Sequence, residues 1–320
     1  MMSNIVSNTV STPETDSTPN PTSKPTSNPN ADHKTNQIAI VTGANSGMGL
    51  ATTIELARKG YHVIMACRSE QRGQQALQEA LRQSGSTTIE LMLCDLGSLD
   101  SIRRFAHSFN ERYDTLDVLV NNAGVVMVKR KETSDGFEQS IGINHLGHFL
   151  LTLLLIPPLR RAEQGRIVNV SSGAYKAGKI HFEDPHLHKR YNPIKGYAQS
   201  KLANVLFTRV LARKVDDSRI TVNCLHPGAV GTSIGVDRNT GFGTRIMAVV
   251  GKLPFFLTPE EGAKTAVYLA TSPEVAGVTG KYFYQQKEQK LQAHATDDTV
   301  AERFWTWSEQ QVGLEPNEQL

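Results

Sequence analysis

The segment Ile38-Ala39-Ile40-Val41-Thr42-Gly43-Ala44-Asn45-Ser46-Gly47-Met48-Gly49 decides the fold of this chain. It opens with a short apolar run of the kind that a buried parallel strand needs. Three glycines follow, and the next stretch, from Leu50 to Arg58, has a helical pattern that ends at Gly60. A strand, a glycine turn and a helix N-terminus together form an anion site from backbone N–H groups and the helix dipole. The segment therefore predicts a dinucleotide-binding turn; the alternative is an ordinary glycine-rich turn.

The rest of the chain alternates between short apolar runs and helical patterns. We expect strands near residues 38–42, 62–66, 88–94, 117–120, 166–171, 219–225 and 281–284. We expect helices near residues 47–59, 69–83, 99–113, 134–160, 195–215, 259–271 and 297–312. Such alternation predicts an α/β fold, with a doubly wound sheet of about seven parallel strands and helices on both faces. The last helix places Val300, Phe304 and Trp307 on one stripe, which predicts core packing.

Residues 1–36 differ in composition from the rest of the chain. Five of the 14 prolines fall within the first 29 residues, among Ser, Thr and Asn. Such a stretch buries too little apolar surface to offset its ordering entropy, so we expect a disordered tail. It contains neither the apolar core of a secretory signal nor a membrane span. We therefore expect a cytosolic protein without a membrane anchor, in which residues 37–314 form one folded domain and residues 315–320 a short C-terminal tail.

Composition restricts the class of protein. Charged residues make up 20% and hydrophobic residues 39% of the chain, which is ordinary for a soluble globular protein. The net charge of +3 is too small to predict a nucleic-acid partner. Cys67, Cys94 and Cys224 have no metal-type spacing, so we expect free thiols in a reducing compartment.

Tyr197 and Lys201 are four residues apart in Tyr-Ala-Gln-Ser-Lys, inside the helix predicted for residues 195–215. Positions i and i+4 of a helix share one face. An ammonium about 4 Å away favours a phenolate by up to roughly 4 kcal/mol, so Lys201 is expected to lower the pKa of Tyr197. A tyrosine with a lowered pKa suits general acid–base catalysis. A solvated helix pair is the alternative for the same spacing.

At this point the chain resembles the short-chain dehydrogenase/reductase family, and within it the retinol dehydrogenase and WW-domain-oxidoreductase-like branch, over residues 37–314. The motifs that carry the resemblance are Thr42 to Gly49, Leu93-Cys94-Asp95-Leu96, Asn121-Asn122-Ala123-Gly124, Gly142-Ile143-Asn144-His145, Ser172, Tyr197 with Lys201, and Pro227-Gly228 followed by Thr232. The resemblance implies a single-domain Rossmann-type fold and an assembly as a homodimer or homotetramer. It also implies an oxidoreductase that moves a hydride between a nicotinamide cofactor and a small-molecule carbonyl or alcohol.

Four residues have catalytic roles by this resemblance: Asn144, Ser172, Tyr197 and Lys201. Ser172 and Tyr197 would bind the substrate oxygen, Tyr197 would exchange its proton, and Asn144 would anchor a water that returns the proton through Lys201. Ser171 is the alternative to Ser172, and a surface or capping position is the alternative for Asn144. The expected cofactor residues are Gly43, Asn45, Ser46, Gly47, Met48, Gly49, Arg68, Asp95, Leu96, Asn122, Ala123, Gly124, Tyr197, Lys201, Pro227, Gly228 and Thr232. Asp95 would contact the adenine, although it could equally cap the helix that begins near Leu99.

The end of the second strand bears on the choice of cofactor. An NAD-specific site places a carboxylate there to bind both ribose hydroxyls. This chain has Cys67 at that position, followed by Arg68, and a guanidinium suits a 2′-phosphate. We therefore expect NADP; the alternative is that Arg68 is merely solvated beside Glu70.

Two regions bear on the substrate. Residues 232–258 mix glycines with apolar side chains, which predicts either a lid over a lipophilic substrate or a packed interface. The loop before Tyr197 contains His181, Glu183, Asp184, His186 and His188. A metal site is the alternative for that loop, but scattered histidines and acids are typical of a polar loop and we expect no metal.

The expected activity is the NADP(H)-dependent interconversion of a lipophilic carbonyl and an alcohol, with tyrosine as the general acid and base. One alternative is a catalytically silent NADP-binding regulator, whose usual sign, a lost Tyr, Lys or Ser, is missing here. A second is a carbon–carbon double-bond reductase similar to protochlorophyllide reductase. A nucleotide-sugar epimerase or dehydratase shares the Tyr-Lys pair, but the glycine spacing at positions 43, 47 and 49 argues against it.

Overall fold

The computed structural model of the chain describes residues 37–215, 219–228, 257–315 and 318. The predicted tail 1–36, Thr232 and nearly all of the apolar segment 232–258 lie outside the described residues.

The predicted apolar runs form one sheet of eight strands in the order β3-β2-β1-β4-β5-β6-β7-β8. The strands are β1 Ile38–Thr42, β2 His62–Cys67, β3 Ile89–Leu93, β4 Val118–Asn121, β5 Gly165–Val170, β6 Ile220–Leu225, β7 Tyr282–Tyr284 and β8 Lys287–Glu288. The first seven pair in parallel, which confirms the predicted doubly wound sheet. The additional strand β8 pairs antiparallel with β7 and is too short for any periodicity to reveal.

The helices of the described residues lie on both faces of the sheet. They are α1 Gly47–Arg58, α2 Glu70–Ser84, α3 Leu99–Arg112, α4 Gln139–Ile141, α5 Gly147–Arg161, α6 Pro193–Lys214, α7 Pro259–Thr271 and α8 Asp298–Val312. One buried cluster packs α3, α5, α6 and α8 against the sheet, and a second packs α1, α2 and α7. The predicted stripe of α8 packs onto the first cluster, with Phe304 buried and with Val300 and Trp307 partly buried.

The prediction of one regular helix over residues 134–160 was wrong in two respects: the helix begins later, and a π-helix interrupts it. Glu138, which is fully buried, caps α4 by accepting the N–H groups of Ser140 and Ile141, so the helix begins at Gln139. A π-helix, Gly142–Leu146, then joins α4 to α5. Local periodicity predicts the apolar face of a helix but does not reveal one extra residue in a turn.

Among the described helices, one stretch, Gln139–Arg161, is long and apolar enough to cross a membrane. Of its most apolar window, 83% is buried inside the fold, as expected for a core helix. At the C-terminus, both carboxylate oxygens of Glu318 accept hydrogen bonds from Arg103 at 3.0 Å. Within the predicted tail 315–320, Glu318 is therefore bound to α3.

Gly147 provides a test of the packing between α5 and the loop after β3. A Cβ at this position would clash with the backbone carbonyl of Leu96, and backbone cannot move aside as a flexible side chain can. Alanine is favoured over glycine inside helices by about 1 kcal/mol, so Gly147→Ala would stabilise an unobstructed helix. Here we expect the clash to dominate, with a loss of about 1–3 kcal/mol in the free energy of unfolding. Urea denaturation measures this loss.

Gly277→Ala is the matched control, because a Cβ there meets nothing within 4 Å and its φ is not positive. Its free energy of unfolding should stay within about 0.5 kcal/mol of the wild-type value. Equal stability of the two variants would contradict the close approach of α5 to Leu96.

Candidate active site

A cleft of about 380 Å³ opens at the carboxyl ends of the parallel strands. The strand order reverses between β1 and β4, and such a switch point is where doubly wound sheets bind their ligands. The structure brings these predicted cofactor residues together along the cleft: Gly43, Asn45, Ser46, Gly47, Met48, Gly49, Arg68, Asp95, Leu96, Asn122, Ala123, Gly124, Tyr197, Lys201, Pro227 and Gly228. Ser172 also lines the cleft, whereas Thr232 lies outside the described residues.

The glycine turn has a geometry that other residues would not fit. Gly43 and Gly47 have φ angles of +64° and +54°, in the left-handed region that favours glycine. A Cβ on Gly49 would clash with the carbonyl oxygen of Gly43 and lie 2.5 Å from the side-chain nitrogen of Asn122. The first turn of α1 carries no acidic residue, so its N-terminus stays favourable for an anion. These features fit a nucleotide pyrophosphate held against the N-terminus of α1.

Thr42 fixes the turn after β1 to the loop after β4. Its hydroxyl oxygen accepts the backbone N–H groups of Asn122 at 2.9 Å and Ala123 at 3.0 Å. The side-chain amide of Asn122 donates in return to the carbonyl oxygen of Thr42 at 2.7 Å. The two loops that border the cleft on each side of the switch point are thus joined by three hydrogen bonds.

Tyr197 and Lys201 lie one turn apart on α6, with Lys201 Nζ 5.6 Å from the centroid of the tyrosine ring. The ammonium donates to the carbonyl oxygen of Val170 at 3.0 Å. Burial lowers the pKa of Lys201 from its ordinary value to about 8. Burial also raises the pKa of Tyr197, and a hydrogen bond from Ser172 opposes this rise.

The expected lowering of the tyrosine pKa by Lys201 is therefore wrong for the protein chain on its own. Desolvation of the phenol is the largest effect on its pKa, because burial disfavours the ionised form. The ammonium is directed at Val170 rather than at the phenol oxygen. The group that stabilises the phenolate here is the hydroxyl of Ser172.

The two neighbouring serines have different partners. Ser171 is buried and donates to the carbonyl oxygen of Lys201 at 2.8 Å, which ties β5 to α6. Ser172 accepts the N–H of Ala174 at 3.2 Å and lines the cleft, where its hydroxyl lowers the pKa of Tyr197. The geometry favours Ser172 over Ser171 as the group that meets a substrate.

Asn144 lies behind the cleft rather than in its wall. It is fully buried within the π-helix, so it is neither a surface residue nor a cap. Its amide oxygen accepts the N–H of Val125 at 2.8 Å, and its amide nitrogen donates to the carbonyl of Val125 at 2.9 Å and to Ser200 Oγ at 3.0 Å. Gly124 separates it from the lysine, since a Cβ on Gly124 would lie 3.4 Å from Lys201 Nζ and 3.6 Å from Asn144 Oδ1.

Asp95 lines the cleft and does not cap α3. Its carboxylate accepts the N–H of Gly97 at 2.9 Å, which closes the turn after β3. The cap of α3 is Ser98, whose hydroxyl accepts the N–H of Ser101 at 3.2 Å.

Sequence reasoning missed Arg72, which lines the cleft together with Arg68 and Ser69. Its positive charge also lies close enough to Cys67 to act on the pKa of that thiol, which burial raises to about 11. Arg68 lines the cleft beside Arg72, and the alternative that it is merely solvated beside Glu70 stays open. The available signal was a second arginine four residues after Arg68, in the first turn of α2.

The described residues contain no group of three His, Cys, Asp or Glu side chains that could hold a metal ion. In the loop before Tyr197, the carboxylate of Asp184 accepts the N–H groups of His188 and Lys189 at 2.8 Å each. His186 hydrogen-bonds Gln311 of α8 at 3.0 Å. These side chains organise the loop and fasten it to the C-terminal helix.

Comparison with known proteins identifies the class. Residues 37–241 match the family model of the short chain dehydrogenases. The chain is 45% identical over 288 residues to retinol dehydrogenase 14 of Homo sapiens, covering 86% of each protein. It is 37% identical over 287 residues to polyprenol dehydrogenase of Homo sapiens, covering 88% of this chain and 86% of the relative.

Solved structures agree with this result. A putative uncharacterized protein from Mycobacterium Paratuberculosis superposes with a TM-score of 0.68 at 34% identity, covering 87% of this chain and 94% of that chain. Actinorhodin polyketide ketoreductase, solved with NADPH, superposes with a TM-score of 0.61 at 26% identity, covering 78% of this chain and 96% of that chain. The chain belongs to the short-chain dehydrogenase family of oxidoreductases. Within that family it lies in the retinol dehydrogenase-like branch.

The buried ammonium of Lys201 generates a prediction about stability. The pKa of the lysine is 10.5 when solvated and about 8 in the fold, so ionisation costs the folded state on the order of 3 kcal/mol at neutral pH. Below about pH 8 the charge is present in both states and the whole cost applies; between about pH 8 and pH 10.5 the cost fades, since only the unfolded chain remains protonated. Lys201→Met should therefore stabilise the protein at neutral pH, and this gain should shrink as the pH rises through that window.

Urea denaturation at a series of pH values measures the effect. In Lys201→Met the carbonyl oxygen of Val170 keeps a hydrogen bond, because Asn204 also donates to it, at 3.1 Å. Lys264→Met, at an exposed position of α7, is the control and should show no such pH dependence. A Lys201→Met protein with a gain that is independent of pH would show that the lysine is not desolvated.

Proposed function

We propose that this protein interconverts a lipophilic carbonyl compound and its alcohol with NADP(H), using Tyr197 as the general acid in reduction and the general base in oxidation. The observation that carries the proposal is that Ser172, Tyr197 and Lys201 line the same cleft as the glycine turn, with Lys201 one helical turn from Tyr197.

The bound cofactor would lie against the glycine turn and the loop after β4, and it supplies the hydride. In the reduction direction, negative charge develops on the substrate oxygen. The hydroxyls of Ser172 and Tyr197 are two preplaced donors for that charge, which is the arrangement that stabilises a developing oxyanion best. Tyr197 then gives its proton to this oxygen. Because burial disfavours the phenolate, the tyrosine rests in the protonated form that donation in the reduction direction requires.

Lys201 has a pKa of about 8, close to the working pH at which a proton carrier is most effective. We assign it two roles, namely to bind the ribose hydroxyls of the cofactor and to return a proton to Tyr197. Asn144 contributes through position, because its amide nitrogen donates to Val125 and Ser200 and its amide oxygen accepts the N–H of Val125.

Two arginines support the preference for NADP. Arg68 and Arg72 lie on the same side of the cleft, beside the Ser69 hydroxyl, at the end of β2. Guanidinium groups bind a phosphate through paired, charge-assisted hydrogen bonds. The similar ketoreductase was solved with NADPH, and similar short chain dehydrogenases from Shigella flexneri and Escherichia coli, 25% identical to this chain, were solved with NADP and NADPH.

The relatives support a lipophilic substrate, because they are named for retinol and polyprenol, which are long apolar alcohols. The alternative of a catalytically silent regulator is disfavoured by the presence of all four catalytic side chains. The predicted cytosolic location, the absence of an anchor and the homodimer or homotetramer stay predictions from the sequence.

The function is tested by the reduction of a panel of aldehydes and ketones of increasing chain length with NADPH. Wild-type protein should reduce the longer members more efficiently. Tyr197→Phe should lower kcat by about 10³-fold or more, because the proton donor is lost, while the Kd for NADPH changes little. Tyr268→Phe removes an exposed hydroxyl on α7 that pairs with Glu274, and it should leave both quantities unchanged. Turnover retained in Tyr197→Phe would refute the assigned proton donor.

The cofactor preference is tested by the double substitution Arg68→Ala and Arg72→Ala. Charged hydrogen bonds of this kind contribute about 1.5–3 kcal/mol, so kcat/KM with NADPH should fall by roughly 10- to 100-fold. The value with NADH should hardly change, since NADH has no 2′-phosphate. Arg82→Ala, on the same helix but exposed and paired with Glu79, is the control. Equal losses with both cofactors, or a wild-type preference for NADH, would contradict the assignment.

A further inference from the structure

His148 is a buried histidine that lies outside the cleft, in the first turn of α5. Each of its ring nitrogens has one partner. Nδ1 lies 3.1 Å from the carbonyl oxygen of Asn144, and Nε2 lies 2.8 Å from the hydroxyl oxygen of Thr42. One ring therefore touches the residue that begins the glycine turn and the residue that stands behind the catalytic lysine.

The partners determine which nitrogen carries the proton. A carbonyl oxygen can only accept, so Nδ1 must be the donor to Asn144. In a neutral ring Nε2 is then an acceptor, and the hydroxyl proton of Thr42 must point to it. This direction leaves the lone pairs of the Thr42 oxygen for the N–H groups of Asn122 and Ala123, which it accepts at 2.9 Å and 3.0 Å. A proton on Nε2 would turn the threonine hydroxyl away, and its nearest other acceptor is the carbonyl of Val120, at 3.4 Å.

The ring stays neutral because of its surroundings. Burial lowers the pKa of His148 to about 4, and the positive charge of Lys201 acts in the same direction. His148 is thus a fixed donor on one side and a fixed acceptor on the other, without acid–base chemistry of its own.

The Asn144 side of the ring continues to the catalytic helix. The side-chain amide of Asn144 donates to Ser200 Oγ at 3.0 Å, and Ser200 donates to the carbonyl oxygen of Tyr197 at 2.8 Å. The hydrogen bonds run without a gap from Thr42 through His148, Asn144 and Ser200 to the backbone of Tyr197. All of these groups except Tyr197 are buried, so an unmade bond would be costly.

We propose that His148 is a positioning residue that couples the cofactor-binding turn to the catalytic helix, with Nε2 holding Thr42 and Nδ1 holding Asn144. The role rests on the proposed function, because it assigns one ring nitrogen to cofactor binding and the other to the proton-transfer residues. This role predicts that different substitutions of His148 will change cofactor binding and turnover separately.

Asparagine and glutamine separate them, because their amide groups overlap different ring nitrogens. His148→Asn places an amide near Nδ1, which keeps the donor to Asn144 and loses the acceptor for Thr42. His148→Gln places an amide near Nε2, which keeps the acceptor for Thr42 and loses the donor to Asn144. His148→Leu loses both.

We expect the Kd for NADPH to rise about tenfold in His148→Asn, with kcat at saturating NADPH within about threefold of wild type. We expect the reverse in His148→Gln, namely a nearly unchanged Kd and a kcat about tenfold lower. His148→Leu should show both losses. If His148 only filled space, the loss of NADPH affinity and the loss of kcat would stand in the same ratio in His148→Asn and His148→Gln. That result would overturn the proposal.

His145 supplies the matched control. It is buried three residues earlier in the π-helix, hydrogen-bonds Ser308 at 2.8 Å and packs against Phe304, away from the cleft. His145→Gln should lower the melting temperature while leaving the Kd for NADPH and kcat as in wild type.

Two readouts are independent of turnover and separate this inference from the proposed function. NADPH binding is measured by fluorescence without substrate, and the tautomer of His148 by ¹⁵N NMR, with the His148→Gln spectrum assigning the signal. The ring should be neutral with the proton on Nδ1; a proton on Nε2 would refute the coupling even in an active enzyme. Absence of turnover by the wild-type protein would instead refute the proposed function.

Discussion

The close approach of the turn after β1 to the loop after β4 is the constraint on which the site depends. A Cβ on Gly49 would enter the backbone of Gly43 and the side chain of Asn122, so the two loops meet without room for any other side chain. Thr42 closes the same contact with three hydrogen bonds. Because strand order reverses between β1 and β4, this contact forms the floor of the crevice in which a doubly wound sheet binds its ligand. Every other functional group in the cleft is placed relative to that floor.

The chemistry of the site opposes the stability of the fold. Burial disfavours the charged form of Lys201 and the ionised form of Tyr197, because the fold removes much of the water around both groups. The same burial shifts each pKa in the direction that proton transfer requires. It lowers the pKa of the lysine to about 8, near neutral pH, and it keeps the tyrosine protonated. The surrounding core compensates for this loss of stability. It contains fully buried residues such as Phe149 and Leu206.

The sequence was informative where local pattern determines structure, and less so where distant contacts do. Apolar runs predicted the seven parallel strands, and the glycine turn predicted the switch-point cleft, because both are encoded in consecutive residues. The start of the helix at Gln139 depends on the buried carboxylate of Glu138, and the π-helix depends on packing, so periodicity misplaced the first and missed the second. Arg72 escaped notice because it lies on α2, and only the fold shows that the first turn of this helix lines the cleft beside Arg68. The pKa of Tyr197 was misjudged because spacing reveals the nearby charge and not the depth of burial.

The π-helix explains why one helical segment can serve both sides of the cleft. Asn144 and His148 lie four residues apart, so they share a face of the segment, and both are buried behind the site. The segment between β4 and β5 would otherwise be an apolar core helix, as its burial shows.

A widened turn with the hydrogen bond from Gly147 N–H to the carbonyl of Gly142 accommodates two polar side chains that must face inward. Widened turns of this type are frequent at functional sites, where specific contacts stabilise them. Here those contacts are the hydrogen bonds of Asn144 to Val125 and Ser200 and of His148 to Thr42. The irregularity and the polar network therefore occur in the same place: both involve the segment that carries Asn144 and His148, the residues to which we assign positioning roles.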